Sequence, residues 1–384
     1  MALTIDLTID EPEPPPPPPP RPRPVIRDDD IIEESDYPRK RRDPRLMFVL
    51  DWGWPYRGPI VFDRPRGLAF DVDLAHLYIV DSNNHRVVVV SSHDGSVIRK
   101  FGEDGKTDGR FRYPYMAAID HEHERVIVSD RSNQRLQVLS LQDYSHQRSI
   151  GRMGLDELEF QAPRALAIDR HTDRLYVVDT NNFRLQVLSL VDLSFVAFFS
   201  THNKPPGSMT FSRISDVAVD SERARLIVSD TERNRIQVWS AVDGAFLFEF
   251  GVKGSAPGQL YKPQGLCVDN HGRILVADTF NRRLQAFTPE GNPLAVWQCN
   301  DRPWTVAFDE RRGLIAYTVG HEVHVIAPNR WLLDTFHWTP DRHAGATRPI
   351  RRAVLTVTMI RSLVYDSIVS LLPNELLFQI FAHL

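Results

Sequence analysis

Residues 121–124, His-Glu-His-Glu, are the part of the sequence that most resembles a metal-binding cluster. Imidazole and carboxylate groups are ligands for zinc or copper. The segment falls between two predicted strands, and His171 and His271 occupy comparable places further along the chain. We therefore interpret it as a solvated hairpin tip. No pair of titratable groups is spaced as a general acid and base would require, so we predict no catalytic residue, metal or cofactor.

A second chemical pattern recurs along the chain: an aspartate followed five residues later by an arginine. The guanidinium fork of arginine can pair with a carboxylate. A turn aspartate accepts local backbone N–H groups, and the asparagine found in most copies tolerates the left-handed conformation of tight turns. Because the pattern recurs in nearly every unit, we predict structural pairing. The pairs are Asp81 and Arg86, Asp130 and Arg135, Asp179 and Arg184, Asp230 and Arg235, and Asp278 and Arg283.

The elements that position these pairs recur at intervals of 48 to 51 residues. Such a period is typical of propellers and solenoids, and short strands separated by turns favour the propeller. The second strand of the first unit, Leu77–Val80, is apolar without alternation, which predicts burial on both faces. A sixth unit at Trp304–Ile326 lacks the Asp and Arg. Its outer strand is either Phe48–Gly53 or Trp331–Phe336. The fold class is therefore all-β.

The motif Asp-(Ser/Thr)-x-Asn-x-Arg-(Leu/Ile)-Gln-Val resembles the NHL repeat over residues 46–338. The resemblance implies a six-bladed β-propeller. It also implies two functional alternatives, because NHL propellers of tripartite-motif proteins can bind RNA and an NHL-like propeller carries the peptide-amidating lyase. We consider a lyase the remotest of the functions.

Function is expected where the units differ. The innermost strand of each unit begins near a proline, and the residue at that point varies from unit to unit. By symmetry these residues should surround one mouth of the central channel, where arginine and aromatic side chains favour binding. The predicted partner-binding residues are Arg66, Tyr115, Arg164, Ser215, Gln264 and Trp304.

The two ends of the chain differ from the propeller. Residues 1–45 combine a proline run with charged clusters, which predicts a disordered tail; binding to a proline-recognition module or nuclear import are alternatives to a purely solvated tail. Residues 339–353 form a basic linker. Residues 354–384 are predicted to be helical, and their end resembles the first helix of an F-box. The resemblance implies binding to a Skp-type adaptor through Leu372, Pro373, Leu376, Leu377, Ile380, Phe381 and Leu384. The alternative is an amphipathic helix packed on the propeller.

Composition narrows the classes of function. Lys and Arg total 46 against 50 Asp and Glu, a net charge of −4, which argues against a generally cationic nucleic-acid binder. Two cysteines cannot form a disulfide scaffold. The acidic start lacks a signal-peptide pattern, and Val354–Leu372 is interrupted by charges, so neither secretion nor a membrane span is predicted.

The resulting prediction is a monomeric, intracellular propeller in the cytoplasm or nucleus that binds a protein partner without catalysis. The F-box-like segment adds the hypothesis that it recognises substrates for a ubiquitin ligase. The alternative function is RNA binding through the arginines of the channel mouth.

Overall fold

The computed structural model describes residues 49–50, 60–200 and 211–326 of the chain. Within these ranges the strands form six four-stranded sheets and one short two-stranded pair. The helical elements in the same ranges are single 3-10 turns, at Ser82–Asn84, Arg131–Asn133, Thr180–Asn182, Thr231–Arg233 and Thr279–Asn281. The predicted all-β class is therefore confirmed. No helix among the described residues is long and apolar enough to cross a membrane.

Each of the first five sheets follows chain order from an inner to an outer strand. Blade 1 contains β2 (Pro65–Asp71), β3 (His76–Asp81), β4 (Arg86–Ser91) and β5 (Val97–Phe101). Blade 2 contains β6 (Ala117–Asp120), β7 (Arg125–Asp130), β8 (Arg135–Ser140) and β9 (His146–Ile150). Blade 3 contains β12 (Pro163–Asp169), β13 (Arg174–Asp179), β14 (Arg184–Ser189) and β15 (Phe195–Ser200), and follows the two-stranded pair of β10 (Arg152–Met153) and β11 (Glu159–Phe160).

The second half of the ring repeats this order. Blade 4 contains β16 (Ile214–Asp220), β17 (Arg225–Asp230), β18 (Arg235–Ser240) and β19 (Phe246–Phe250). Blade 5 contains β20 (Leu266–Val268), β21 (Ile274–Asp278), β22 (Arg283–Phe287) and β23 (Pro293–Gln298). Blade 6 contains β24 (Pro303–Asp309), β25 (Leu314–Val319), β26 (Glu322–Ile326) and β1 (Val49–Leu50).

The innermost strands close a ring. Each of β2, β6, β12, β16, β20 and β24 contacts the innermost strand of the next blade, and β24 contacts β2. The molecule is therefore a closed six-bladed β-propeller, as the repeat predicted.

Apolar cores fill the spaces between neighbouring blades. On β3, Leu77 and Ile79 pack with blade 6, whereas Tyr78 and Val80 pack with blade 2. Successive side chains of a strand point to opposite faces, so a strand placed between two blades buries both. Burying one such side chain contributes about 1.5–3 kcal/mol. The unbroken apolar pattern of Leu77–Val80 predicted this two-sided burial correctly.

Blade 6 differs from the others in its outer strand. In blades 1 to 5 the fourth strand pairs antiparallel with the third. In blade 6, Val49–Leu50 pairs parallel with Glu322–Ile326, joining the start of the propeller to its end. Of the two segments proposed for this place, the structure thus uses part of the first. The second, residues 331–336, lies outside the described residues, as do the predicted tail 1–45, the linker 339–353 and the helical segment 354–384.

Candidate functional site

Five turns, one in each of blades 1 to 5, lie at the end of the propeller where the innermost strands begin. Pro65 pairs with Asp81, Pro163 with Asp179 and Ile214 with Asp230. In every turn the arginine Nε donates to the aspartate Oδ2 at 2.7–2.9 Å, and the aspartate is fully buried. We call each of these Asp–Arg turns a hub.

The other carboxylate oxygen of each hub aspartate accepts a hydrogen bond from a residue that is distant in the sequence. Its Oδ1 accepts a backbone N–H at 2.6–3.0 Å from the segment that leads into the innermost strand of the same blade. The donors are Asp63, Arg112, Gln161, Ser212 and Tyr261. Our expectation of local backbone bonds is therefore wrong, because none of these aspartates caps its own 3-10 turn. The hub therefore joins the two middle strands of a blade to the segment that precedes its innermost strand.

The left-handed residue differs from the expected asparagine in four of the five turns, and in blade 4 it is an asparagine, as expected. It is the residue four positions after the aspartate, namely His85, Gln134, Phe183, Asn234 or Arg282. The asparagine one position earlier instead donates Nδ2 to the aspartate in four blades, at 2.8–2.9 Å. Its amide hydrogen bond, and not its backbone preference, explains the motif.

Burial shapes the electrostatics of the hubs. It raises the pKa of Asp81 and of Asp179, while the surrounding backbone, asparagine and arginine donors lower the pKa. Arg184 further donates to the carbonyl oxygens of Leu155 (at 2.5 Å), Asp156 and Glu159. Because it donates both to the aspartate and to these carbonyl oxygens, a hub arginine links its own turn to an earlier segment of the chain.

The six predicted mouth residues lie at the start of the innermost strands, and five of them form two separate groups of side-chain contacts. The Arg66 guanidinium lies 3.8 Å from the centre of the Trp304 ring, and that of Arg164 lies 5.2 Å from the Tyr115 ring. Arg164 also donates Nη1 to the Ser215 hydroxyl at 3.3 Å. One group thus joins blades 1 and 6, and the other joins blades 2, 3 and 4.

Two glycines allow the backbones behind this ring to approach closely. A Cβ on Gly67 would lie 2.3 Å from the Tyr115 carbonyl oxygen, and one on Gly265 would lie 2.4 Å from the Thr305 Cα. Gly265 donates its N–H to the Trp304 carbonyl at 2.9 Å. The mouth therefore has a rigid backbone frame.

Exposure within the ring is uneven. Ser215 is 1% exposed, Arg164 and Gln264 are 8% exposed and Tyr115 is 9% exposed, whereas Arg66 and Trp304 are half-buried. We had expected six equivalent rim positions. Close contacts between neighbouring innermost strands instead cover four of them, so a bulky ligand would meet Arg66 and Trp304 first.

Two further arginines belong to this region, and the sequence reasoning missed them. Arg131 follows the hub aspartate of blade 2, at a position where the other hubs have serine or threonine. Arg213 directly precedes β16. Burial, followed by the positive charge of Arg164, lowers the pKa of each to about 10. The break in the Ser/Thr pattern at Arg131 was the signal available in the sequence.

The opposite end of the propeller carries the predicted histidine cluster. His121 Nε2 lies 2.7 Å from Asp71 Oδ1 and 3.8 Å from Asp73 Oδ2, and His123 Nδ1 lies 3.0 Å from Asp120 Oδ2. His121 therefore contacts the neighbouring blade, although we expected a solvated tip. Among the described residues, Asp71, Asp73 and His121 lie close enough together to hold a metal ion, but Arg311 also hydrogen-bonds to Asp73.

Fold and hubs together define a six-bladed β-propeller built from an Asp–Arg repeat. The family model of the NHL repeat matches residues 62–90 and 260–287. The chain thus contains NHL repeats, as its motif predicted.

Relatives share short stretches of this repeat. The chain is 44% identical over 63 residues to protein lin-41 of Caenorhabditis elegans, which covers 16% of this chain and 5% of that protein. It is 48% identical over 46 residues to the E3 ubiquitin-protein ligase TRIM32 of Homo sapiens, covering 12% and 7%. Against the E3 ubiquitin-protein ligase TRIM71 of Xenopus tropicalis it is 50% identical over 42 residues, covering 11% and 5%. The chain thus spans only a small part of each relative.

Solved structures share the fold at low identity. A gluconolactonase from Xanthomonas campestris superposes with a TM-score of 0.53 at 15% identity, over 68% of this chain and 86% of that chain. A chain of a nidogen/laminin complex superposes with a TM-score of 0.51 at 14% identity, over 68% and 85%. At such identity the likeness concerns the fold alone.

Proposed function

We propose that the protein is a non-catalytic propeller whose channel mouth binds a partner protein. The observation that carries this proposal is the contrast between five nearly identical hubs and a mouth with five residue types at six equivalent positions. Arginine and aromatic residues dominate binding energy at protein interfaces. None of the six mouth positions carries a carboxylate or imidazole that could act as a general acid or base.

RNA binding is the second candidate, favoured by the cations just before the innermost strands. These are Arg64, Arg213, Lys262 and Arg302. Binding to RNA depends on many cations that contact phosphates. Nearby, however, Arg110 pairs with Glu103 at 2.8 Å and Lys262 with Glu232 at 3.4 Å. This partial neutralisation, together with the net negative charge of the chain, supports a protein partner.

A role in ubiquitylation forms the finer part of the proposal. Two relatives are named as E3 ubiquitin-protein ligases, and residues 372–384 resemble the start of an F-box. In this proposal the propeller, residues 46–338, acts as a monomer in the cytoplasm or nucleus and holds a substrate. The segment 354–384 binds a Skp-type adaptor.

Affinity purification of the full chain from cells tests partner binding. We expect a protein that is recovered with wild type, withstands nuclease treatment and is lost with Arg66→Ala plus Trp304→Ala. Arg170→Ala is the matched control, because Arg170 is exposed in a turn at the opposite end. A nuclease-sensitive, salt-sensitive product would favour RNA, and recovery that no mouth substitution changes would contradict the proposal.

A direct binding assay tests the adaptor. Full-length protein should bind a purified Skp-type adaptor, and Leu377→Asp plus Phe381→Asp should abolish the binding. A wild-type protein that does not bind the adaptor would remove the ubiquitin-ligase part and leave the partner-binding part in place.

A further inference from the structure

We propose that the channel mouth contains a site for a phosphate monoester carried by the partner protein, formed by Arg131, Arg164 and Arg213. This inference rests on the proposed function, since it specifies the chemical group of the partner that enters the mouth. It requires that these three side chains converge, that donors among them are available and that no carboxylate pairs with them.

The hub geometry shows why Arg131 belongs to the mouth. The equivalent residue of blade 1, Ser82, donates its hydroxyl to the Pro114 carbonyl at 2.5 Å, and Thr231 of blade 4 donates to the Pro263 carbonyl at 2.7 Å. Each of these prolines directly precedes a mouth residue of the next blade. The position occupied by Arg131 therefore faces the start of the neighbouring innermost strand, which in blade 3 carries Arg164.

Two N–H donors of this cluster make no hydrogen bond. The Nε atoms of Arg131 and Arg164 are buried without a hydrogen-bond partner. Arg164 is more than nine-tenths buried, and the side-chain hydrogen bond it makes goes to the neutral Ser215 hydroxyl. A buried donor without an acceptor is costly. An acceptor that enters from the channel would remove this cost.

The positive charge is also only weakly compensated. Within residues 60–200 and 211–326, no carboxylate lies at ion-pair distance from Arg131, Arg164 or Arg213. Arg131 is instead affected by the like charges of Arg164, Arg66 and Arg213, and these lower its pKa further after burial. Glu232 acts on Arg213 but is paired with Lys262. The five hub arginines, in contrast, each face a carboxylate.

A phosphate monoester suits this site better than other anions. It carries close to two negative charges and three strong acceptor oxygens, which match several guanidinium forks. A carboxylate brings one charge. A phosphodiester within RNA also brings one charge, and it is flanked by sugars, which suits it less well to Arg164, a residue that is only 8% exposed.

Calorimetric titration of the full-length protein at constant ionic strength tests the site, with inorganic phosphate and O-phosphoserine as probes and acetate as the control anion. We expect both phosphate probes to bind more tightly than acetate. Arg131→Thr should weaken phosphate binding by about tenfold or more, through loss of a charge-assisted hydrogen bond. Threonine is the residue of three other hubs, so this variant should fold, and Arg170→Thr should bind as wild type does.

A second readout separates ligand binding from a structural role. Without phosphate, Arg131→Thr should melt at a higher temperature than wild type because it removes a repelling charge. With phosphate, wild type should gain thermal stability and the variant should not. A lower melting temperature of the variant in both conditions would make Arg131 structural and contradict the proposal.

Other outcomes would also overturn it. Equal binding of acetate and phosphate would assign the site to carboxylates, and equal competition by an oligoribonucleotide without a terminal phosphate would assign it to RNA. Absence of phosphate binding with intact mouth-dependent protein capture would refute this inference alone. Phosphate binding without any mouth-dependent protein capture would refute the proposed function and the protein as carrier of the phosphate, while the phosphate site itself would stand.

Discussion

The hubs and the channel mouth lie at the same end of the propeller and use the same side chain in opposite ways. At a hub, arginine meets a fully buried aspartate and donates to carbonyl oxygens. At the mouth, Arg66 and Arg164 meet aromatic rings and a hydroxyl. Paired charges connect the chain, whereas Arg164, which has no carboxylate at ion-pair distance among the described residues, remains able to attract an anion. We therefore assign the hub arginines to stability and the mouth arginines to recognition.

The largest effect is expected from removing a hub carboxylate. Asp179→Ala should lower the free energy of unfolding by about 3–5 kcal/mol, because it leaves Arg184 as an uncompensated buried charge. Urea denaturation measures the loss. Glu222→Ala is the control, since Glu222 lies in an exposed turn where substitutions change little. Equal losses for the two variants would contradict the structural role of the hub.

Asp216 can be compared with the hub aspartates. It is a buried carboxylate behind the mouth, but its hydrogen-bond partners are backbone N–H groups. It accepts N–H groups from Val217 and Leu266 at 2.8 and 2.9 Å, and burial raises its pKa to about 7. Below about pH 4 the Asp216 carboxyl group is protonated in both the folded and the unfolded protein. Between about pH 4 and 7 only the folded state keeps the proton, so its contribution to stability falls as pH rises, by up to about 1.4 kcal/mol per pH unit.

Urea denaturation of wild type and Asp216→Asn between pH 4.5 and pH 7.5 (roughly the window set by the two pKa values) measures this contribution. The difference in unfolding free energy between the two proteins should change across the window and be constant above it. A difference independent of pH would show that Asp216 titrates normally.

An intermediate effect is expected where two blades touch. Gly67→Ala places a methyl group against the Tyr115 backbone, and such overpacking costs about 1–3 kcal/mol. Gly105→Ala is the control, because its methyl group would meet only the flexible Arg110 side chain. Thermal melting measures both. Indistinguishable melting temperatures would show that the mouth frame can relax.

The smallest effect on stability is expected from the mouth side chains themselves. Arg66→Ala removes the contact with Trp304 and should cost about 0.5–1 kcal/mol, the usual contribution of a partly exposed cation–π pair. Urea denaturation provides the measurement. A loss as large as that of Asp179→Ala would abolish the distinction between hub and mouth.

Much of the fold was predictable because it repeats. The positions of Asp81 and Arg86 recur in four later units, and a side chain needed in every blade leaves a periodic trace in the sequence. The partner of the Asp81 Oδ1, the Asp63 N–H, left no such trace, because backbone donors do not depend on residue type. Arg131 appears in the sequence only as an exception to the motif.

The sequence by itself determined the number of blades, the course of their strands and the residues of the hubs, since local spacing and alternation encode them. Only the tertiary structure decided that Val49–Leu50 joins blade 6 and that four of the six mouth residues are buried. It also brought Arg131 and Arg213 towards Arg164. The physical reason is closure of the ring, which brings residues about 50 positions apart, one from each blade, to a single axis.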